Sequence, residues 1–164
     1  MAELTQDDID NLISCEKLVM VAPRRTLKAQ NAYEENGLQV MSVDGQYQFK
    51  IFIRRNLKLR ENFSVGLIYV PRDGSGEVRL VRCNGNHDHR NPNGDLISGF
   101  HLHLATEDAL ELGLKSDRYA ELATSYATLE EAIYYFFSYT NVTGWQEFFP
   151  DAMQWGLFRD GDNR

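Results

Sequence analysis

The stretch Leu38-Gln-Val-Met-Ser-Val43, the dipeptide Asp44-Gly45 and the stretch Tyr47-Gln-Phe-Lys-Ile-Phe-Ile53 together predict the central hairpin of the fold. Asp-Gly accepts the positive φ angles that a tight hairpin turn requires. In the second stretch, apolar and polar residues alternate, which is the period of a strand with one buried face. The middle of the chain is therefore predicted to be an antiparallel sheet.

More strands and two flanking helical regions complete the predicted fold. Three further segments have strand character and are separated by turn residues: 63–70, 77–83 and 100–105. Thr5 predicts the start of a helix that runs to about Lys17, and Thr128-Leu-Glu-Glu131 is a capping box that begins a later helix. We therefore expect residues 1–164 to form a single α+β domain: an antiparallel sheet of about five strands, with an N-terminal helix and C-terminal helices packed mainly on one face.

The composition is that of an ordinary globular protein. Hydrophobic residues make up 43% and charged residues 25% of the 164, so the chain can bury a core. It has no apolar run that could cross a membrane and no basic or apolar signal region at its amino terminus, so we expect a cytoplasmic protein without a membrane partner. Its two cysteines, Cys15 and Cys83, are too few for a disulfide framework.

All four histidines fall in one short part of the chain, as the pairs His87-Asp-His89 and His101-Leu-His103. On a strand, the spacing His-x-His places both rings on the same side of the sheet. The apolar residues of the segment 100–105 should face the helices, so His101 and His103 should point to the opposite face. The preceding loop is rich in Asn, Gly and Pro and can fold the first pair back toward the second.

This clustering predicts a zinc site, because imidazole is a common zinc ligand. The candidate ligands are His87, His89, His101 and His103, with Cys83 as an alternative. The sequence leaves open a site of four histidines, of three histidines and the cysteine, or of three histidines and water. It also leaves open metal-free acid–base catalysis by the same histidines, as in ribonucleases, or ordinary surface histidines without a joint role.

Charge is distributed unevenly along the chain, whose net charge is −7. Residues 24–90 hold twelve Lys and Arg against seven Asp and Glu, a balance of +5, whereas the remaining residues have a balance of −12. A basic middle can bind a polyanion such as RNA, and acidic ends can bind a basic protein surface. A solvated surface without a partner remains the alternative interpretation.

The segment Val81-Arg82-Cys-Asn84-Gly-Asn-His87-Asp-His89, followed by Phe100-His101-Leu-His103 and the capped helix, carries a resemblance that covers about residues 78–140. It resembles small uncharacterised bacterial and phage proteins and, distantly, the TumE-type toxins of toxin–antitoxin pairs. The positions that match are Arg82, His87, His89, His101 and His103, and the ribonuclease that the resemblance implies would use Arg82, His87, His101 and His103 as catalytic residues. Cys83-Asn84 stands where the toxin pattern has Asp-Asn. By size and composition alone, the chain is also similar to anti-CRISPR proteins.

The aromatic carboxyl-terminal segment is expected to pack on its own domain, with binding of a protein partner as the alternative, because exposed Trp and Phe are also what protein interfaces use as anchors. The partner-binding candidates are Trp145, Phe148, Phe149 and Trp155. Together these features favour a zinc-stabilised, non-enzymatic phage or mobile-element protein that inhibits a nucleic-acid-processing machine such as a bacterial defence nuclease. The competing hypothesis is a ribonuclease toxin that uses the histidine cluster for acid–base catalysis and binds RNA through its basic middle.

Overall fold

In a computed structural model, which describes residues 3–24 and 28–152, the chain is an α+β protein built on one large sheet. The strands are β1 (Lys17–Val21), β2 (Lys28–Gln30), β3 (Tyr33–Ser42), β4 (Gln48–Asn56), β5 (Phe63–Val70), β6 (Val78–Asn84), β7 (His89–Arg90), β8 (Leu96–Ile97), β9 (His101–Leu104), β10 (Tyr119–Leu122) and β11 (Val142–Thr143). The helices are α1 (Gln6–Ser14), α2 (Glu107–Glu111), α3 (Leu129–Tyr139) and a short 3-10 helix (Trp145–Glu147).

The sheet is wider than the sequence led us to expect. Eight strands follow the order β10-β9-β6-β5-β4-β3-β1-β11, and β2 pairs with β3 outside this order. The strands β7 and β8 form a separate two-stranded hairpin. Since β1 and β11 are parallel, the sheet is mixed. The prediction of about five antiparallel strands is therefore wrong.

The additional strands escaped prediction because they are short or directly follow a helix. The helix α1 ends at Ser14 and not near Lys17, because Cys15 has the extended backbone angles φ −60° and ψ 142°. The chain then enters β1 at once, so the apolar residues of this strand look like the continuation of the helical pattern. Its parallel partner β11 has two residues, too few to show any periodicity.

The side chain of Lys17 joins the two ends of the chain at this parallel pair. It is 0% exposed, and its Nζ donates to the carbonyl oxygens of Ile13, Cys15 and Thr140 at 2.7–2.8 Å. These carbonyls lie at the carboxyl ends of α1 and α3, where helices leave acceptors unpaired and where a cation is favourable. A buried lysine therefore satisfies both helix ends.

The large sheet has one face covered by helices and one open face. On the helical face, α1 and α3 pack near side chains such as Phe63, Val65 and Leu67, which are at most 2% exposed. Cross-strand pairing places two rows of residues on the other side, which we call the open face: Phe52, Gly66, Arg82 and His103 in one row, and Arg54, Ser64, Asn84 and His101 in the next. Of the helices in the described ranges, none has the length and apolar character needed to cross a membrane.

Candidate active site

The residues His101 and His103 lie on the open face of β9, next to β6. Their partners across the strand pair are Asn84 and Arg82. The two imidazoles are nevertheless buried, with 0% and 2% of their surface exposed. They are buried because the loop that carries the other two histidines folds over this part of the face.

The four imidazole rings form one cluster. Measured between ring centroids, His101 lies 4.9 Å from His103 and 4.6 Å from His87. His89 lies 4.6 Å from His103 and 5.8 Å from His101. His87 is exposed and His89 is half-buried, so the loop pair forms the outer part of the cluster and the strand pair the inner part.

Main-chain carbonyls fix the protonation pattern of the two inner rings. His101 Nδ1 lies 2.9 Å from the carbonyl oxygen of Gly99, and His103 Nδ1 lies 2.8 Å from that of Asp117. A carbonyl only accepts a hydrogen bond, so Nδ1 carries the hydrogen in both rings. In the neutral rings, Nε2 is therefore the atom with a free electron pair.

The inner rings are neutral at physiological pH. Burial lowers the pKa of His101 to about 4 and that of His103 to about 3, and the nearby charge of Arg82 lowers the latter further. Both effects disfavour a positive charge on the ring. Neutral imidazoles with a free Nε2 serve either as metal ligands or as general bases.

We expect the free energy of unfolding to fall as the pH falls from about 6.5 toward 4. Unfolded histidines take up a proton near pH 6.5, whereas folded His101 and His103 stay neutral down to about 4 and 3. In this window the unfolded state binds more protons, so acid favours unfolding. Urea denaturation at a series of pH values measures the slope. The double variant His101→Asn/His103→Asn is the control, and an equal slope in both proteins contradicts the prediction.

An open pocket of about 660 Å³ lies beside the cluster, and His89 and His103 line it. Four cationic side chains also line this pocket: Arg82, Arg90, Lys115 and Arg118. Of its two carboxylates, Asp88 and Asp117, the latter is 1% exposed and ion-paired with Arg82. The pocket therefore carries a net positive charge, which suits an anion such as a phosphate group.

The neighbouring residues Asp117 and Arg118 organise the two sides of this pocket. The Asp117 carboxylate accepts a hydrogen bond from Arg82 Nε at 3.0 Å, while its main-chain carbonyl accepts the one from His103. Arg118 places a guanidinium nitrogen 2.9 Å from His89 Nε2. Residues 117–118 thus orient His89, His103 and the guanidinium of Arg82.

The cysteine that was considered as a further zinc ligand lies on the other face of the sheet. Cys83 pairs with Leu102 across β6 and β9, is 0% exposed, and belongs to the hydrophobic core. Burial raises the pKa of its thiol, which opposes formation of the thiolate that binds metals. Cys83 therefore cannot join His101 and His103 around one ion.

The zinc site itself stays a prediction. Within the described parts of the chain, no group of three or more His, Cys, Asp or Glu side chains is arranged to hold a metal ion. Two candidate nitrogens already have hydrogen-bond partners: Asn84 Nδ2 lies 3.3 Å from His101 Nε2, and the carbonyl oxygen and guanidinium of Arg118 lie 3.0 and 2.9 Å from His89 Nε2. A metal ion at either nitrogen would have to displace these partners.

Sequence reasoning missed Asn84, Asp117 and Arg118, and also the pocket cations Arg90 and Lys115. The Ser64 hydroxyl donates to Asn84 Oδ1 at 2.8 Å, which turns the amide NH2 group toward His101. The role of Asn84 follows from the pairing of β6 with β9, and that register is not visible in the sequence. Asp117 and Arg118 lie in the connection between α2 and β10, where no motif marks them.

The aromatic residues considered for partner binding lie mostly against their own domain. Trp145 is 4% exposed and stacks on Phe137 with ring centroids 5.2 Å apart, so it is a core residue and not a surface anchor. Phe149 is half-buried and also packs on Phe137. Phe148 is half-buried at a pocket near α3. Trp155 lies outside the described residues.

Comparison with known proteins identifies a family. Over residues 4–142, the chain matches the model of DUF6978, a family of unknown function, and it belongs to this family. The matched range includes all four histidines and all the cationic residues of the pocket. No curated protein and no solved structure matches the chain significantly.

Proposed function

We propose that this chain, as a member of that family of unknown function, is a metal-independent ribonuclease whose active site is the basic pocket. His103 takes a proton from the 2′-hydroxyl of RNA, and His89 donates a proton to the leaving 5′-oxygen. The 2′-oxygen attacks the phosphorus, and the bond from phosphorus to the 5′-oxygen breaks. The products are a 2′,3′-cyclic phosphate and a free 5′-hydroxyl.

One observation carries this proposal: two histidines with ring centroids 4.6 Å apart share a pocket with four cationic side chains. Cleavage of this kind needs a base and an acid that both reach one phosphate, and cations that stabilise the charge that develops there. The Nδ1 hydrogen bond of His103 to the Asp117 carbonyl leaves its Nε2 free to accept a proton. His103 is therefore the base. His89 Nε2 lies 3.0 Å from the main-chain carbonyl oxygen of Arg118, which only accepts a hydrogen bond, so this nitrogen can carry the hydrogen that His89 donates as the acid.

The low pKa of free His103, about 3, makes it a weak base before substrate binds. Burial and the charge of Arg82 are the causes. A phosphodiester bound beside Arg82 and Arg118 offsets their positive charge, and so raises the pKa of the ring. Substrate binding thus moves His103 toward the range in which a base is efficient at neutral pH.

The test is incubation of end-labelled single-stranded RNA with the purified protein in EDTA, followed by analysis of the new ends. We expect cleavage with 2′,3′-cyclic phosphate and 5′-hydroxyl ends, and none of the DNA of the same sequence, because DNA lacks the attacking hydroxyl. Expression of the protein in the cytoplasm of a naive bacterium should accordingly arrest growth. Intact RNA after incubation with folded protein between about pH 5 and 8, or cleavage that EDTA abolishes, contradicts the proposal.

A zinc-stabilised, non-enzymatic inhibitor of a defence nuclease is the second candidate, and the spacing of the rings favours it. Imidazoles on one tetrahedral zinc ion have centroids about 5 Å apart, and these rings are 4.6–5.8 Å apart. We place it second because hydrogen-bond partners already occupy the Nε2 atoms of His89 and His101. Elemental analysis of the same preparation distinguishes the two: one zinc ion per chain, with a melting temperature that falls in EDTA, would favour the inhibitor.

A further inference from the structure

We propose that the open face next to the pocket is a track for single-stranded RNA, on which Phe52 stacks a base and Arg79 binds a phosphate. The proposal deepens the ribonuclease function of the pocket and rests on it. It names the substrate as a single strand that extends several nucleotides beyond the reacting phosphate. In a duplex the bases are paired and stacked on each other, so they are not available to a side chain on a sheet.

Phe52 lies in the row of open-face residues that leads to the catalytic base. Its partners across successive strands are Gly66, Arg82 and His103. Neighbouring strands are about 4.8 Å apart, so Phe52 and His103 are separated by about 14 Å along this row. An RNA strand with its reacting phosphate in the pocket therefore reaches Phe52 if it follows the row across the face.

The ring of Phe52 is held in place over Gly66. A Cβ atom at Gly66 would lie 2.2 Å from Cε1 of the Phe52 ring, so the ring occupies the space that a side chain at position 66 would need. Phe52 is only half-buried, although it lies in the middle of a wide sheet. A fixed aromatic ring that stays accessible on a sheet is what proteins use to stack the bases of single strands.

Two arginine side chains lie beside aromatic rings on this face. The Arg79 guanidinium lies 5.9 Å from the Phe52 ring centroid, and Arg79 has no ion pair among the residues that the structure describes. The Arg54 guanidinium lies 3.9 Å from the ring centroid of Tyr33 on the same side and is also ion-paired with Glu35 at 3.5 Å, so Arg79 is the cation available to a phosphate here. Arginine beside an aromatic ring can bind a phosphate while the ring stacks a base. The row leads into the pocket at Arg82, which is paired with Asp117, and the positive charge of the pocket comes from Arg90, Lys115 and Arg118.

Binding is measured with the variant His103→Asn, so that cleavage does not interfere. The probes are a labelled single-stranded RNA of about ten nucleotides, the same RNA as a duplex, and a dinucleotide. In the His103→Asn protein, the further change Phe52→Ala should weaken binding of the single strand about tenfold, which is the effect of losing one base stack. The same change should leave the dinucleotide unaffected, since a dinucleotide in the pocket does not reach the track. Phe52→Tyr should restore binding.

Loss of Arg79 should have a different signature. Arg79→Ala removes one phosphate contact, so the slope of log affinity against log salt should decrease in magnitude by about 0.7. Matched controls on the helical side are Tyr139→Ala on α3 and Arg24→Ala beside it. Both variants should bind the single strand as tightly as the His103→Asn protein does. The melting temperature of each variant shows that it is folded.

The outcomes separate this inference from the ribonuclease function. If wild-type protein cleaves no RNA but binds the single strand in a Phe52-dependent way, the ribonuclease proposal fails and the track stands. If it cleaves RNA but Phe52→Ala affects the long strand and the dinucleotide equally, the track is wrong and the ribonuclease stands. Tighter binding of the duplex, or equal losses in the helical-side controls, also overturns the track.

Discussion

Replacement of His103 by asparagine is expected to lower the rate of RNA cleavage by about 10²- to 10⁴-fold, the contribution typical of a positioned general base. The asparagine amide can donate to the Asp117 carbonyl in place of Nδ1, so the main-chain hydrogen bond that this ring makes at 2.8 Å need not be lost. What the variant lacks is the Nε2 electron pair that accepts the proton. The rate is measured under single-turnover conditions with excess enzyme, so that substrate binding does not limit it.

His101→Asn is the matched control for this prediction. His101 is as deeply buried and is also bound to a carbonyl through Nδ1, but it does not line the pocket. We expect its cleavage rate to stay within about tenfold of wild type, because it supports the cluster and does not reach the substrate. Equal losses in the two variants would assign a common structural role to both rings, and wild-type cleavage by His103→Asn would remove His103 from the mechanism.

The histidine cluster could be predicted from the sequence because it depends on the alternation of side chains along a single strand. His101 and His103 share a face as a consequence of strand alternation alone. The sequence did not predict on which face of the sheet Cys83 lies relative to the histidines, because this depends on which residue of β9 it pairs with. In the structure that residue is Leu102, so Cys83 faces the core, and the next residue, Asn84, faces His101.

The rest of the site depends on contacts between parts of the chain that are distant in sequence. Asp117 is 35 residues from Arg82, and Arg118 is 29 residues from His89. No periodicity or motif indicates such contacts, because they form only when the connection after α2 closes over β9. The same holds for the fold: the hairpin of β3 and β4 is local, whereas the parallel pair of β1 and β11 joins residues 17 and 142.

Gly85→Ala is expected to lower the free energy of unfolding by about 3 kcal/mol or more, at the upper end of what overpacking costs. A Cβ atom at Gly85 would lie 1.8 Å from the carbonyl oxygen of Glu61 and 2.9 Å from the main-chain nitrogen of Phe63. These are backbone atoms, which cannot rotate away as the end of a side chain can. Relief requires the two segments to separate, so the hydrogen bonds Gly85 N to Phe63 O and Asn86 N to Glu61 O, both 2.8 Å, should break.

These two hydrogen bonds hold the start of the loop that carries His87 and His89, so Gly85→Ala should affect the site as well as the fold. Chemical denaturation gives the free energy, and the cleavage assay at a temperature where the variant is folded gives the activity. Gly37→Ala is the control, because a Cβ there meets one atom only, the carbonyl oxygen of Ile51 at 3.3 Å. We expect Gly37→Ala to change stability by less than about 1 kcal/mol. If both variants are equally stable, residues 85–86 do not pack against 61–63 as described, and the position of the catalytic loop must differ too.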